Sequence, residues 1–413
     1  MVAPAQNCDA IDRLLAALPV EGEGRARVAE LGFPTSRDED WRFTSVKPIT
    51  ELNFTVAKAD ATATLDGCVF AAIDGPQLVF VNGHYSESLS QIGDLSPGVE
   101  VRPISAGDYP APPEVEDAFT ALNAAAATDG PFIRVADNVI FETPVRVYYL
   151  STGSAGATAN VRGYICAGAN SRLTVLESWS GTEAGYFNNG VTELRAADNA
   201  QLEHLKFQDE HTGAFHVGAL HATMGRDARV AHHSLALGGR IARNNLRAHL
   251  NGTGIEAVLN GLYLPRAGQL IDHHMVVNHA QPHCDSHEYF NGILDDDARA
   301  VFHGRIHVHK GADKTDAKQT NKNLLLSDNA TVNTKPQLEI YADDVKCTHG
   351  ATIGQMNAEQ IFYLRARGLD EEAARQLIMH AFAGEIVERI QCEAAREELD
   401  RLLWDRLEEV VEA

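Results

Sequence analysis

From Pro131 to about Thr352 the chain is written in short runs in which apolar and polar residues alternate. Phe132-Ile-Arg-Val135, Val145-Arg-Val-Tyr-Tyr-Leu150 and Arg172-Leu-Thr-Val-Leu176 are examples, each closed by small polar residues. A period of two predicts strands with one buried and one outward face. The turns repeat as well: Ala169-Asn170, Asp198-Asn199, Arg226-Asp227, Gly252-Thr-Gly254, Asp296-Asp297 and Asp328-Asn329 each precede a small or apolar residue and a new run. These marks fall mostly ~28 to 32 residues apart, the signature of stacked coils. Helices of normal length are almost missing from the segment, which argues against helical crossovers between strands. The tight hexapeptide ladder of left-handed β-helices is also missing. The expected fold is mainly β, a parallel β-helix (solenoid) core with irregular coils. Such a rod has exposed ends that need capping, and the flanking helical regions are suited to cap them.

The flanks read differently. In residues 1–128, Ile11, Leu14, Leu15 and Leu18 share one helical face, Asp9 offers an N-cap, and Pro19 ends the helix. Trp41 and Phe43, within Asp40-Trp-Arg-Phe-Thr44, look like anchors that pack a loop onto the body. Leu78-Val-Phe-Val-Asn-Gly-His-Tyr85 predicts a strand entering a turn. Pro103, Pro110, Pro112 and Pro113 mark a connector, and Glu116–Ala127 a short helix stopped by Asp129-Gly130. After Asn357, which has Gln360 at capping-box spacing, the chain turns helical. Gly368 suits a helix stop, and Asp370 with Glu371 and Glu372 opens the next helix favourably against its dipole. In that helix Ile378, Phe382, Ile386 and Ile390 recur every four residues. So short a tail has little core of its own, so part of this stripe is expected to dock a partner, with Phe362, Leu377, Ile378, Phe382 and Ile386 as its contacts. The expected division is 1–128, an N-terminal mixed region; 129–352, the β-helix core; and 353–413, a C-terminal helical docking domain.

Composition narrows the function. A formal charge of −22 on 413 residues, with no basic run, argues against nucleic acid and anionic membranes. No apolar stretch is long enough to span a bilayer and no secretory signal opens the chain, so a cytoplasmic protein is expected. The six cysteines are scattered without a Cys-x-x-Cys, unlike a zinc ribbon or a disulfide framework. No Gly-Lys dipeptide occurs, so a Walker A phosphate loop is excluded. A nucleophile elbow and His-Glu-x-x-His are missing too, and no complete active site emerges.

Two constellations of soft ligands remain. Cys347 and His349 stand two residues apart, on one face of an extended chain, at the junction between strands and helical tail. Thiolate and imidazole suit iron, zinc or an iron–sulfur cluster, although a buried thiol beside a hydrogen-bonded histidine has the same spacing. Histidines also crowd into one third of the coils: His273, His274, His279, His283, His287, His303, His307 and His309. His279, His283 and His287 would align on a helix; in a coil they share a strand face or straddle the turn at Pro282. A metal site and a stacked polar ladder both fit them.

The run Asp343-Asp-Val-Lys-Cys-Thr-His-Gly-Ala-Thr-Ile-Gly354, followed by Ala358-Glu-Gln-Ile-Phe-Tyr-Leu-Arg-Ala-Arg-Gly-Leu369, resembles the C-terminal signature of the SufB/SufD family, and its Cys-x-His resembles the SufD branch. Asp40-Trp-Arg-Phe-Thr44, Asp272-His-His274 and Pro282-His-Cys-Asp-Ser286 resemble the family as well. The resemblance implies a non-catalytic scaffold that builds iron–sulfur clusters with the ATPase SufC. It would pair with a SufB-like subunit through the rod ends and hold a SufC-like ATPase on its C-terminal helices. It further implies that His349, with Cys347 as a helper, meets iron or a transient cluster shared with SufB, and that ATP-driven closure of two SufC subunits twists the pair open. Ligation would require neutral imidazole and thiolate. Two other readings are a metal-dependent β-helix enzyme acting on carbohydrate, which the histidine-rich coils keep open, and a homodimeric scaffold.

Overall fold

A computed structural model describes residues 5–20, 22–108 and 117–412. Helices α1 (Ala5–Ala17), α2 (Gly22–Leu31) and α3 (Lys47–Thr50) precede four short strands, β1 (Thr55–Val56), β2 (Gln77–Val81), β3 (His84–Tyr85) and β4 (Val99–Pro103), and then α4 (Ala118–Ala126). Strands then follow one another without a helix: β5 (Pro131–Val135), β6 (Val145–Ser151), β7 (Ala157–Ala167), β8 (Arg172–Gly181), β9 (Phe187–Ala196), β10 (Gln201–Glu210), β11 (Phe215–Met224) and β12 (Arg229–Ala236). The run continues through β13 (Ile241–Leu250), β14 (Glu256–Tyr263), β15 (Leu270–His279), β16 (Asp285–Leu294), β17 (Arg299–Val308), β18 (Asp316–Leu325), β19 (Thr331–Ile340) and β20 (Lys346–Gln355). Helices α5 (Ala358–Arg365), α6 (Glu371–Val387) and α7 (Glu393–Glu412) close the chain.

From β5 on, each strand pairs in parallel with the strand two places later, so odd and even strands build two facing sheets. Sheet A runs β19-β17-β15-β13-β11-β9-β7-β5-β4, with β1 beside β7, and sheet B runs β20-β18-β16-β14-β12-β10-β8-β6-β2-β3. Each coil is one strand of A and one of B, the solenoid that the alternation predicts. Inward residues such as Ile133, Val175, Leu194, Ile271 and Leu294 form one continuous apolar core.

The turns from sheet A to sheet B need a left-handed residue once per coil. Asn138, Asn170, Asn199, Asp227, Gly254, His283 and Lys314 supply it, with φ between 55 and 72°. Asparagine, aspartate and glycine tolerate this region best. Asn170 donates to Asn138 Oδ1 and Asn199 to Asn170 Oδ1, each at 3.0 Å, so the first turns are bonded coil to coil. Two of the six repeat marks belong elsewhere: Asp296-Asp297 and Asp328-Asn329 lie on the opposite edge, between strands of sheet B and sheet A. The marks in register after Gly254 are His283 and Lys314, residue types that a turn search passes over.

The helical flanks cover the rod's faces rather than its ends, which corrects the expectation that they cap it. On sheet A, α1 and α4 with Phe33, Trp41 and Phe54 bury Phe187, Phe215, Val217 and Ile241. On sheet B, Met379, Ile386, Leu399, Leu403 and Leu407 of α6 and α7 pack on Leu176, Leu205, Phe207, Leu235, Leu262 and Leu324. Each fully buried Leu or Phe contributes roughly 1.5–3 kcal/mol.

Other local expectations shift. Helix α1 begins before Asp9, which therefore lies inside it and is no cap. Trp41 is buried, but Phe43 is exposed and anchors nothing. Asn82 and Gly83, both at positive φ, form the turn of the antiparallel β2–β3 hairpin. Helix α4 starts at Asp117, whose carboxylate accepts from Thr120 N in a capping box. Pro110, Pro112, Pro113 and Glu116 lie outside the described residues. Among the described residues no helix is long and apolar enough to cross a membrane.

Candidate functional site

Cys347 and His349 stand on β20, the last strand of sheet B. Cys347 pairs with Ala317 and His349 with Gln319 on β18. Along β18, Ala317, Gln319, Asn321 and Asn323 are all buried and face inward. Parallel register carries that parity over, so Cys347, His349, Ala351 and Ile353 continue the rod's inner row. Among the described residues no coil stacks on β20, so the row is open: His349 and Ile353 are exposed, and Cys347 is half-covered by a small cluster that includes Ile306, Val308 and Ala317. Nothing lies within 4 Å of where a side chain at Gly350 or Gly354 would project. Burial pushes the Cys347 thiol above its ordinary range, so it is a neutral thiol near pH 7 and must lose a proton to ligate metal.

The two terminal strands differ as edges. On sheet A, β19 carries Lys335 and Pro336, a charge and a missing N–H that blunt further pairing. β20 has no proline and presents its backbone and the Cys347/His349 face together.

Beneath the open row the rod's interior is polar in a way composition does not announce. Lys206 is half-buried, donating to His216 Nε2 at 2.8 Å and to Asn244 Oδ1 at 2.7 Å, while His216 Nδ1 lies 2.7 Å from Glu210 Oε2. An imidazole accepting at Nε2 and donating at Nδ1 is the neutral tautomer. Burial draws Lys206 down to about 8 and lowers His216, which Lys206 depresses further. His204 and His232 meet at 2.9 Å, and Ser234 contacts His273 Nε2 at 3.1 Å. Burial also lowers His232 well below its usual value and His273 to about 4. Nearer the open end, Gln319 donates to Glu288, whose carboxyl burial lifts to about 8. Strand register makes these one column, since His204, His232, Leu259, Glu288, Gln319 and His349 are successive partners on sheet B. Only the coil register would have revealed that column in the sequence.

The second sequence-predicted surface lies on α5 and α6. Asn357 caps α5 by accepting from Glu359 N at 2.8 Å, and Asp370 caps α6 by accepting from Ala373 N at 2.8 Å. No residue of α5 is buried; Phe362 is 74% and Tyr363 56% exposed. A groove of about 620 Å³ between the two helices is lined by Tyr363, Leu364, Leu377, Ile378, Ala381 and Phe382. Ile386 does not belong to this surface: it is buried against sheet B, because the four-residue stripe drifts around α6 from the groove into the core.

The histidine-rich coils do not assemble as a helix would have them. His279 ends β15 and bonds Ser286 Oγ at 2.9 Å, His283 occupies the following turn, and His287, on β16, lies 4.0 Å from Asp316. Trp41 packs rather than ligates: the Arg243 guanidinium stacks 3.7 Å above its ring and pairs with buried Asp272 at 2.5 Å, to which Thr44 also donates.

Comparison with known proteins gives a consistent result. The family model described as "SUF system FeS cluster assembly, SufBD core domain" matches residues 149–382, and that for the "SufBD protein N-terminal region" matches residues 21–147. The chain is 33% identical to the iron–sulfur cluster assembly protein SufD of Escherichia coli, over 91% of this chain and 90% of that protein. It is 30% identical to an iron–sulfur cluster assembly SufBD family protein of Synechocystis, over 88% and 85% respectively. With the SufD protein of Bacillus subtilis it shares 28% identity over 69% of this chain and 65% of the relative.

Proposed function

Because the chain belongs to the SufBD family of the SUF iron–sulfur cluster assembly system, we propose that it is the SufD-like, non-catalytic scaffold subunit of a cytoplasmic SufB–SufC–SufD complex. The observation that carries this reading is the open inner row at the rod's end. There Cys347 and His349 sit on an edge strand that pairs with β18 on one side and carries no proline, where a SufB-like strand would add to β20 and enclose them between the subunits. Iron or a nascent cluster is the substrate of that enclosure, held transiently by His349 as neutral imidazole and by Cys347 as thiolate, and shared with SufB. The α5–α6 groove, lined by Leu377, Ile378 and Phe382, together with Phe362 exposed outside it on α5, is the proposed seat of a SufC-like ATPase, consistent with a chain that lacks a phosphate loop. On this division residues 1–128 brace the rod, 129–352 supply it, and 353–413 dock the ATPase.

The test is cluster assembly by the reconstituted complex with wild-type protein or His349→Ala, the complex being verified by size exclusion. We expect the complex to form and assembly to collapse. Undiminished assembly would remove His349 from the chemistry and reduce this chain to a structural partner.

A further inference from the structure

Within two coils of the open end, a second set of metal-type ligands converges on the outer face of sheet A. His274 on β15 and His303 on β17 are direct register partners, so parallel pairing stacks them on one face. Asp40, from the segment that carries Trp41, reaches over to them. One ligand atom from each of the three lies within 4.8 Å of the others, and Asp40 Oδ1 is 3.3 Å from His274 Nε2. Two ligands bound to one zinc or ferrous ion stand about 3–4 Å apart, as bonds of roughly 2.0–2.2 Å at tetrahedral or octahedral angles require, and the Asp40–His274 separation falls in that range. His274 Nε2 is buried and makes no aligned hydrogen bond. The His303 ring is oriented from behind, Nε2 lying 2.7 Å from Gln337 Oε1. A nitrogen that donates to an amide oxygen leaves Nδ1 as the free lone pair, the way metal-bound histidines are commonly held.

We propose that Asp40, His274 and His303 form a binding site for one divalent transition-metal ion of the zinc or ferrous type, which ties the Asp40–Thr44 segment to the rod. Two imidazoles and one carboxylate are a familiar donor set for both ions. Asp40 and His274 also line a cleft of about 440 Å³ between the N-terminal region and sheet A, so the ion's remaining positions open toward solvent. Of the neighbouring cations, Lys335 pairs with Glu39 at 2.6 Å and Arg243 with Asp272 at 2.5 Å, while Arg305 is shared between Asp40 at 4.0 Å and Glu339 at 3.6 Å. The site is separate from Cys347 and His349 and does not rest on the scaffold reading.

The experiment is titration of the chelator-stripped full chain with Co²⁺ and with Zn²⁺, following visible absorption, bound metal per chain and thermal midpoint. We expect one ion per chain, a cobalt spectrum without a sulfur charge-transfer band, and a raised midpoint. Asp40→Asn, a nearly isosteric change at a partly exposed position, and His303→Gln should each weaken binding at least ~10-fold. A Cys347→Ser/His349→Ala chain should bind as wild type does. Wild-type binding no tighter than that of Asp40→Asn, or binding that disappears with Cys347 and His349 instead, overturns the proposal.

Discussion

Strands β2 and β20 both stand at the limits of sheet B, and they are finished in opposite ways. All five residues of β2 are buried, whereas β20 exposes nearly its whole length. β2 is sealed by its own chain: the β3 hairpin pairs with it, Gln91 bridges Gln77, and Ile92 and Leu95 lie against the core. Beyond β20 the chain leaves along the outside of the rod into α5. The protein can therefore close a coil stack, and does so at one end only. An unsealed parallel edge with inward-facing thiol and imidazole is a surface in want of a second strand.

The contrast can be broken at either end. The largest effect is expected at the sealed end, where Phe80→Ala empties a position that is 0% exposed and should lower unfolding free energy by roughly 3–5 kcal/mol, read from urea denaturation. Next comes Glu288→Gln. Glu288 has its folded pKa raised to about 8 from an ordinary 4.5, so the native state holds a proton that the unfolded state releases. Stability is thus fully present below about pH 4.5 and falls as pH rises toward 8. The amide should remove that slope and stabilise the protein at pH 9 by up to about 4 kcal/mol, visible as a flat profile of denaturation midpoint against pH. Asn170→Ala, which forces alanine to the left-handed φ of 55° and cuts the asparagine ladder, should cost about 1 kcal/mol; Asn170→Gly should recover most of it. The smallest effect belongs to the open end: Ile353→Ala, at a side chain 49% exposed, should change the isolated chain's stability by under ~0.5 kcal/mol. The same change should weaken pairing with a SufB-like subunit in size exclusion; a large loss of stability without loss of pairing would mean that β20 is not the free edge.

Much of the fold was legible because a solenoid repeats its pattern. Period-two alternation marked the strands, and Asn170, Asn199 and Asp227 marked one edge of the coils. Asp296 misleads because both edges use the same turn residues, while the edge in register continues through His283 and Lys314, outside the Asn, Asp and Gly that mark the earlier turns. Placement of the flanks was not legible, since apolar stripes on α1 and α6 fit an end as well as a face. That Cys347 and His349 share one face of a strand followed from their spacing. The Lys206–His216–Glu210 group and the Asp40–His274–His303 group did not, because each joins residues from different strands or from opposite ends of the chain. His274 and His303 are one coil apart, so a correct register would have set them side by side; Asp40 had no such clue.

One more consequence follows from where the Asp40–Thr44 segment binds. Neighbouring coils join residues about one repeat apart, so the rod can grow by local pairing as chain is made. The segment made near the beginning has its seat on Asp272, His274 and Lys335, which are synthesised late. Docking of this early segment is therefore held back until β15 to β19 exist, and the native latch closes only on a rod that has been made almost to its end. A chain truncated before β15 could still seat Trp41 on Phe119 and Arg243, but Thr44 and Asp40 would lack Asp272 and His274, and the latch would stay half-made.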